Sequence, residues 1–101
     1  MSEAARFAID PDHPALPGHF PGRPVVPGVV VLDRVLAAIE ATHGPLAALR
    51  LPQVKFVRPL LPGEAARVVL EPLDARADGA PRWRFRVLCD EAVVATGEVH
   101  G

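Results

Sequence analysis

Two ionisable side chains stand in surroundings that charged groups usually avoid. His19 sits among prolines and glycines, between Gly18 and Phe20-Pro21-Gly22, and Asp33 sits inside the apolar run that begins Gly28-Val29-Val30-Val31-Leu32. Between them, Pro27-Gly28 marks a helix start, where the first turn offers unpaired N–H groups and the positive end of the helix dipole. Pro27 has no N–H and Gly28 has no Cβ, so the Gly28 amide is expected to lie open to a carbonyl oxygen. An imidazole base, a carboxyl group and a backbone donor together suit removal of a proton next to a carbonyl. Asp33 is about 7.5 Å along the helix axis from Gly28 at 1.5 Å per residue, near the amide but not beside it. Burial within such a helix is expected, a setting suited to a general acid. Spacing alone leaves plainer readings open: His19 as a hydrogen-bonded loop residue, Asp33 paired with Arg34 or a strand arginine.

Other chemistries fare worse. Ser2 is the only serine, so no internal hydroxyl is available for a Ser-His-Asp triad. The four histidines and the single Cys89 show neither C-x-x-C nor H-E-x-x-H spacing, and Asp10, Asp12 and His13 read as an Asx turn ending a strand rather than a metal site. With 11 basic and 12 acidic residues, the chain lacks the basic excess of a nucleic-acid binder. Trp83 and Phe85 interleave with arginines, but strand alternation accounts for them better than base stacking. A lone cysteine forms no internal disulfide, and Cys89 reads as a small buried strand residue. The length of 101 residues suits one domain, residues 1–101, with a thin core. There is neither a bilayer-spanning apolar run nor a signal-peptide start, so the expectation is a cytoplasmic protein.

These side chains need elements to position them. Residues 5–10 read as a short strand, and residues 11–27 hold six of the twelve prolines, a stiff irregular loop. Val29, Val30 and Val31 favour strand, but Pro27 before and Gly44-Pro45 after the run predict a helix over 28–42. Apolar residues on nearly every face of that helix mark it as wrapped by other structure. Strands follow at 51–58, 64–73, 82–88 and 92–99, broken by Pro62-Gly63, Asp78-Gly79 and Asp90-Glu91. In the third of these, Trp83, Phe85 and Val87 face the core, opposite Arg82, Arg84 and Arg86. The result is a two-layer α+β domain, one helix against an antiparallel sheet of about five strands. One sheet face cannot cover a helix that is apolar all round, so a second subunit is expected to bury the remainder.

The run Gly-His-Phe-Pro-Gly-Arg-Pro-Val-Val-Pro-Gly-Val, residues 18–29, resembles the active-site segment of 3-hydroxyacyl-acyl-carrier-protein dehydratases of the FabZ/FabA type. Val54-Lys55-Phe56-Val57-Arg58-Pro59 and Pro62-Gly63 are similar to that family's strand after the helix. The resemblance covers roughly residues 5–100. It implies a hotdog fold, a long central helix wrapped by the sheet, and two active sites at a dimer interface. It implies His19 as the catalytic histidine, Gly28 as the amide that binds the thioester carbonyl, and Asp33 as the acidic partner contributed from the opposite subunit. Asp33 is the FabA branch's choice where the FabZ branch usually carries Glu. The short chain looks like the small dehydratases of aryl-polyene and related clusters.

The resemblance therefore implies reversible dehydration of a (3R)-3-hydroxyacyl thioester to a trans-2-enoyl thioester, in fatty acid or polyene biosynthesis. His19 and Asp33 would be catalytic, and Gly28, Phe20, Val29 and Phe56 would bind substrate. Arg23, Arg58 and Arg82 are candidates for meeting an acidic acyl carrier protein, with a solvated basic face as the plainer reading. No cofactor or metal is implied, because the thioester already acidifies Cα. The partners implied are acyl carrier protein and a second hotdog subunit, identical or related, with no nucleic acid and no membrane span. Two rivals share the fold: an acyl-thioester hydrolase, and a non-catalytic subunit of a dehydratase heterodimer.

Overall fold

The computed structural model of the chain describes residues 2–13, 25–45 and 49–101. The element order is β1 (Ser2–Phe7), α1 (Gly28–His43), β2 (Arg50–Phe56), β3 (Ala66–Leu73), β4 (Arg82–Cys89) and β5 (Ala92–His100). The five strands form one antiparallel sheet in the order β1-β3-β4-β5-β2, and α1 packs against β1 and β3. This is the expected α+β hotdog arrangement.

The helix forms despite its three leading valines because tertiary burial outweighs their intrinsic strand preference. Val30, Val31, Val35, Ala38 and Ile39 are buried along one stripe. Burying each valine or isoleucine contributes roughly 1.5–3 kcal/mol. The C-terminus closes where the Gly44 N–H donates to the Glu40 carbonyl. The stripe is narrower than the sequence suggested. Val29, Asp33, Arg34 and Ala37 are exposed within the single chain.

In the sheet, Ala66, Val68 and Leu70 of β3 and Trp83, Phe85 and Val87 of β4 are buried, as their alternation predicts. Cys89 is buried at the end of β4. The Leu61-Pro62-Gly63-Glu64 turn has Gly63 at a φ of 85°, with the Glu64 N–H donating to the Leu61 carbonyl. Asp90 and Glu91, both at positive φ, form the two-residue link between β4 and β5.

The first strand is displaced from its expected place: β1 occupies Ser2–Phe7, not 5–10. Ile9 is buried without joining the sheet, its carbonyl accepting from the Gly63 N–H at 2.8 Å. An apolar residue packed under a turn mimics strand alternation. The Asx turn after it is present, with the Asp12 N–H donating to the Asp10 carboxylate at 2.8 Å.

Candidate active site

The first turn of α1 is bare. Pro27 occupies the N-cap position with no side-chain cap, and no acidic residue stands in the first turn. Bonding to the Pro27 carbonyl begins with the Val30 N–H, and among the described residues no acceptor takes the Gly28 or Val29 N–H. Among the described residues, no capping or acidic side chain compensates the positive end of the helix dipole at Gly28.

Gly28 lies on a cleft of about 520 Å³ walled by Val26, Val31, Phe56, Leu60 and Val94. Three backbone bonds hold these walls together: the Val26 N–H to the Leu60 carbonyl at 2.8 Å, and the Val57 and Arg58 N–H groups to the Val94 carbonyl at 2.8 and 3.4 Å. Val94 reaches the cleft through a bulge, since Val87 pairs with Ala95 and Leu88 with Val93, leaving Val94 between them without a β4 partner. Aliphatic walls around one backbone donor suit an acyl group whose carbonyl oxygen needs a hydrogen bond.

One side of the cleft is fastened by Glu64. Its carboxylate accepts from the Leu61 N–H at 2.8 Å, pairs with the Arg58 guanidinium at 3.3 Å, and lies 3.6 Å from the Cys89 Sγ. The Leu61 N–H and the Arg58 charge hold the Glu64 carboxyl below the usual carboxylate range, against the opposing effect of partial burial. Burial, helped by the negative charges of Glu64 and Asp90, pushes the Cys89 thiol up, so this cysteine is a poor nucleophile.

The expected site residues divide. Gly28 and Phe56 lie together on the cleft. The bare Cα of Gly28 is not open space, however: a Cβ there would meet the Phe56 Cζ at 2.6 Å. The glycine makes room for a ring, besides carrying no side chain to cover its own amide. Val29 is 65% exposed and outside the cleft, where Val31 stands instead. Asp33 is exposed rather than buried. Arg34, one of the partners the plainer reading offered Asp33, has its guanidinium 5.8 Å from the Phe7 ring centre. At about 100° per residue, Asp33 points some 140° round the helix from Gly28, away from its own chain's cleft. Arg58 is engaged by Glu64, and Arg82 donates to the Asp74 carbonyl at 2.8 Å. His19, Phe20 and Arg23 lie outside the described residues.

Val94 and Glu64 escaped sequence reading. Only the sheet order brings Val94 beside the helix start. Glu64 could have been suspected from its place after Pro62-Gly63, six residues beyond Arg58.

Residues 2–98 match the ApeI-like family, described as ApeI dehydratase. The chain belongs to the ApeI-like dehydratase family. It is also similar to the 3-hydroxyacyl-[acyl-carrier-protein] dehydratase FabZ of Bradyrhizobium diazoefficiens, 33% identical over 75 residues, covering 64% of this chain and 49% of that one. The ApeI-like chain thus spans about half the length of this curated relative. Among solved structures, the dehydratase heterocomplex ApeI:P from Xenorhabdus doucetiae superposes with a TM-score of 0.71 at 24% identity, over 94% of this chain and 81% of that one. A mutant of the fluoroacetyl-CoA-specific thioesterase FlK reaches the same TM-score at 17% identity, over 95% and 82%. Dehydratases and thioesterases share this hotdog fold, so the fold does not choose the reaction. No described helix of this ApeI-like protein is long and apolar enough to cross a membrane.

Proposed function

We propose that the chain, acting as one hotdog unit, catalyses the reversible loss of water from a (3R)-3-hydroxyacyl thioester carried on acyl carrier protein, in fatty acid or polyene biosynthesis. The observation that carries this reading is Gly28, whose N–H no described residue accepts, at a helix start without a side-chain cap and on the wall of an apolar cleft. A thioester oxygen placed there accepts a hydrogen bond that strengthens as negative charge develops, and one such donor is worth roughly 2.7–4 kcal/mol in comparable sites.

In this scheme His19 takes the Cα proton. The electron pair left behind forms the C2–C3 double bond as the C3–O bond breaks, and the departing hydroxyl takes a proton from a carboxyl group to leave as water. That carboxyl is Asp33 of a second copy. A residue turned about 140° from Gly28 does not serve its own chain's amide. The exposed face bearing Val29, Asp33 and Ala37 is what such a copy would cover. Arg23, together with Arg58 at the cleft, would meet the acidic carrier.

The test is to incubate the protein with a (3R)-3-hydroxyacyl carrier protein and follow the carrier's mass. Loss of one water supports the reading. Release of the acyl group would make the protein a hydrolase, and an unchanged substrate would make it a non-catalytic subunit; either result overturns the proposal.

A further inference from the structure

The tip of the Phe56 ring occupies the volume that a side chain on residue 28 would need. A Cβ built on Gly28 would lie 2.6, 3.0 and 3.1 Å from Cζ, Cε2 and Cε1 of that ring. Carbon atoms in good contact stand about 3.5–4.0 Å apart, so the two positions exclude one another. Phe56 is the last residue of β2, an edge strand of the sheet, and the residue is 49% exposed. It is therefore a ring held against the helix start more than a member of the core.

The ring's position bears on what fits beside it. With a thioester oxygen on the Gly28 N–H, the carbonyl carbon is fixed next to the ring tip. At about 1.5 Å per bond, C2 to C4 of the acyl group lie within roughly 4 Å of that carbon. Those atoms must pass the ring, whereas atoms further out meet the aliphatic walls formed by Leu60 and Val94.

We propose that Phe56 is a specificity-determining residue that limits bulk near the thioester, so that the site takes acyl groups whose only substituent at C2 to C4 is the C3 hydroxyl and is tolerant beyond them. This rests on the dehydratase reading for its substrate class. Gly28 is the other half of the device, because only a residue without Cβ lets the ring approach this closely.

The test compares two (3R)-3-hydroxyacyl N-acetylcysteamine thioesters of equal carbon number, one straight and one methyl-branched at C4. The ratio of their kcat/KM values is measured in the unaltered protein, Phe56→Leu and Phe56→Ala, alongside the affinities of the matching non-reactive thioether ketones. A ratio taken within one variant does not depend on the fraction folded. The unaltered protein should favour the straight chain roughly tenfold or more, the scale of one misplaced methyl group in a tight apolar site. Phe56→Ala should bring the ratio within about threefold, with Phe56→Leu between. No preference in the unaltered protein, or a preference unchanged in both variants, overturns the proposal. Should turnover be absent while the ketone affinities follow residue 56, the dehydratase reading fails and this inference stands.

Discussion

Gly97→Ala is the substitution with the most sharply defined cost. Gly97 sits in β5 between Val54 of β2 and Phe85 of β4. A Cβ there would lie 2.2 Å from the Gln53 carbonyl oxygen and 2.9 Å from the Phe85 ring. Phe85 is fully buried and cannot swing aside, and the oxygen belongs to backbone. Relief requires β2 to move outward by roughly 1 Å, which stretches its hydrogen bonds to β5 beyond useful length. Losing two or three such bonds, at about 0.5–1.5 kcal/mol each, with overpacking against Phe85, costs roughly 2–4 kcal/mol. For a chain of this size that lowers the melting temperature by roughly 10–25 °C. Thermal unfolding followed by circular dichroism measures it, with Gly79→Ala as the control. Gly79, unlike Gly97, has positive φ, but a Cβ there meets nothing, so the control should lose only about 1 kcal/mol. A Gly97→Ala shift below about 4 °C, or one no larger than the control's, would refute the reasoning.

Gly28→Ala should lower kcat/KM for a straight-chain substrate by about tenfold or more, roughly 1.4 kcal/mol, by driving the Phe56 ring into the cleft. Adding Phe56→Ala should relieve part of that loss, and a double-mutant cycle with no coupling would contradict the contact. Glu64 predicts an acid-side effect. Its depressed folded pKa means that its stabilisation is present above the ordinary carboxylate range and is lost as pH falls through the folded value. Glu64→Gln should be less stable at neutral pH by about 1 kcal/mol, with a shallower decline below about pH 5 in urea-unfolding midpoints. An unchanged slope there would mean that the Arg58 and Leu61 contacts do not bias the carboxylate.

The parts of this fold that were legible in the sequence are those set by local chemistry. Pro27 before the run and Gly44-Pro45 after it bound α1 within a residue of its observed end, although Val29-Val30-Val31 argue for strand. The alternation of Trp83, Phe85 and Val87 with arginines, and the Pro62-Gly63 and Asp90-Glu91 turns, likewise depend on neighbours in the chain. What was hidden depends on neighbours in space. Ile9 looked like a strand residue because its burial under Gly63 has the same apolar signature. The bulge that turns Val94 into the cleft, the crowding at Gly97, and the ring against Gly28 arise only when β2 lies beside β5. At Gly28 the sequence shows a residue without a covering side chain, and only the fold shows that the missing side chain also accommodates Phe56. Asp33 lies on a helix that reads as apolar all round, yet it is exposed within the single chain. One chain covers only one stripe of that helix.

The proposed site is shared between two copies, with His19 from one and Asp33 from the other. It is tested most directly by mixing His19→Ala and Asp33→Asn proteins, each made separately, then unfolded and refolded together. Each variant alone should be inactive. In an equal mixture half the dimers are mixed, and each of these restores one of its two sites, so activity should return to about a quarter of the unaltered protein's. A mixture as inactive as its components, with mixed dimers demonstrably formed, would contradict the shared site.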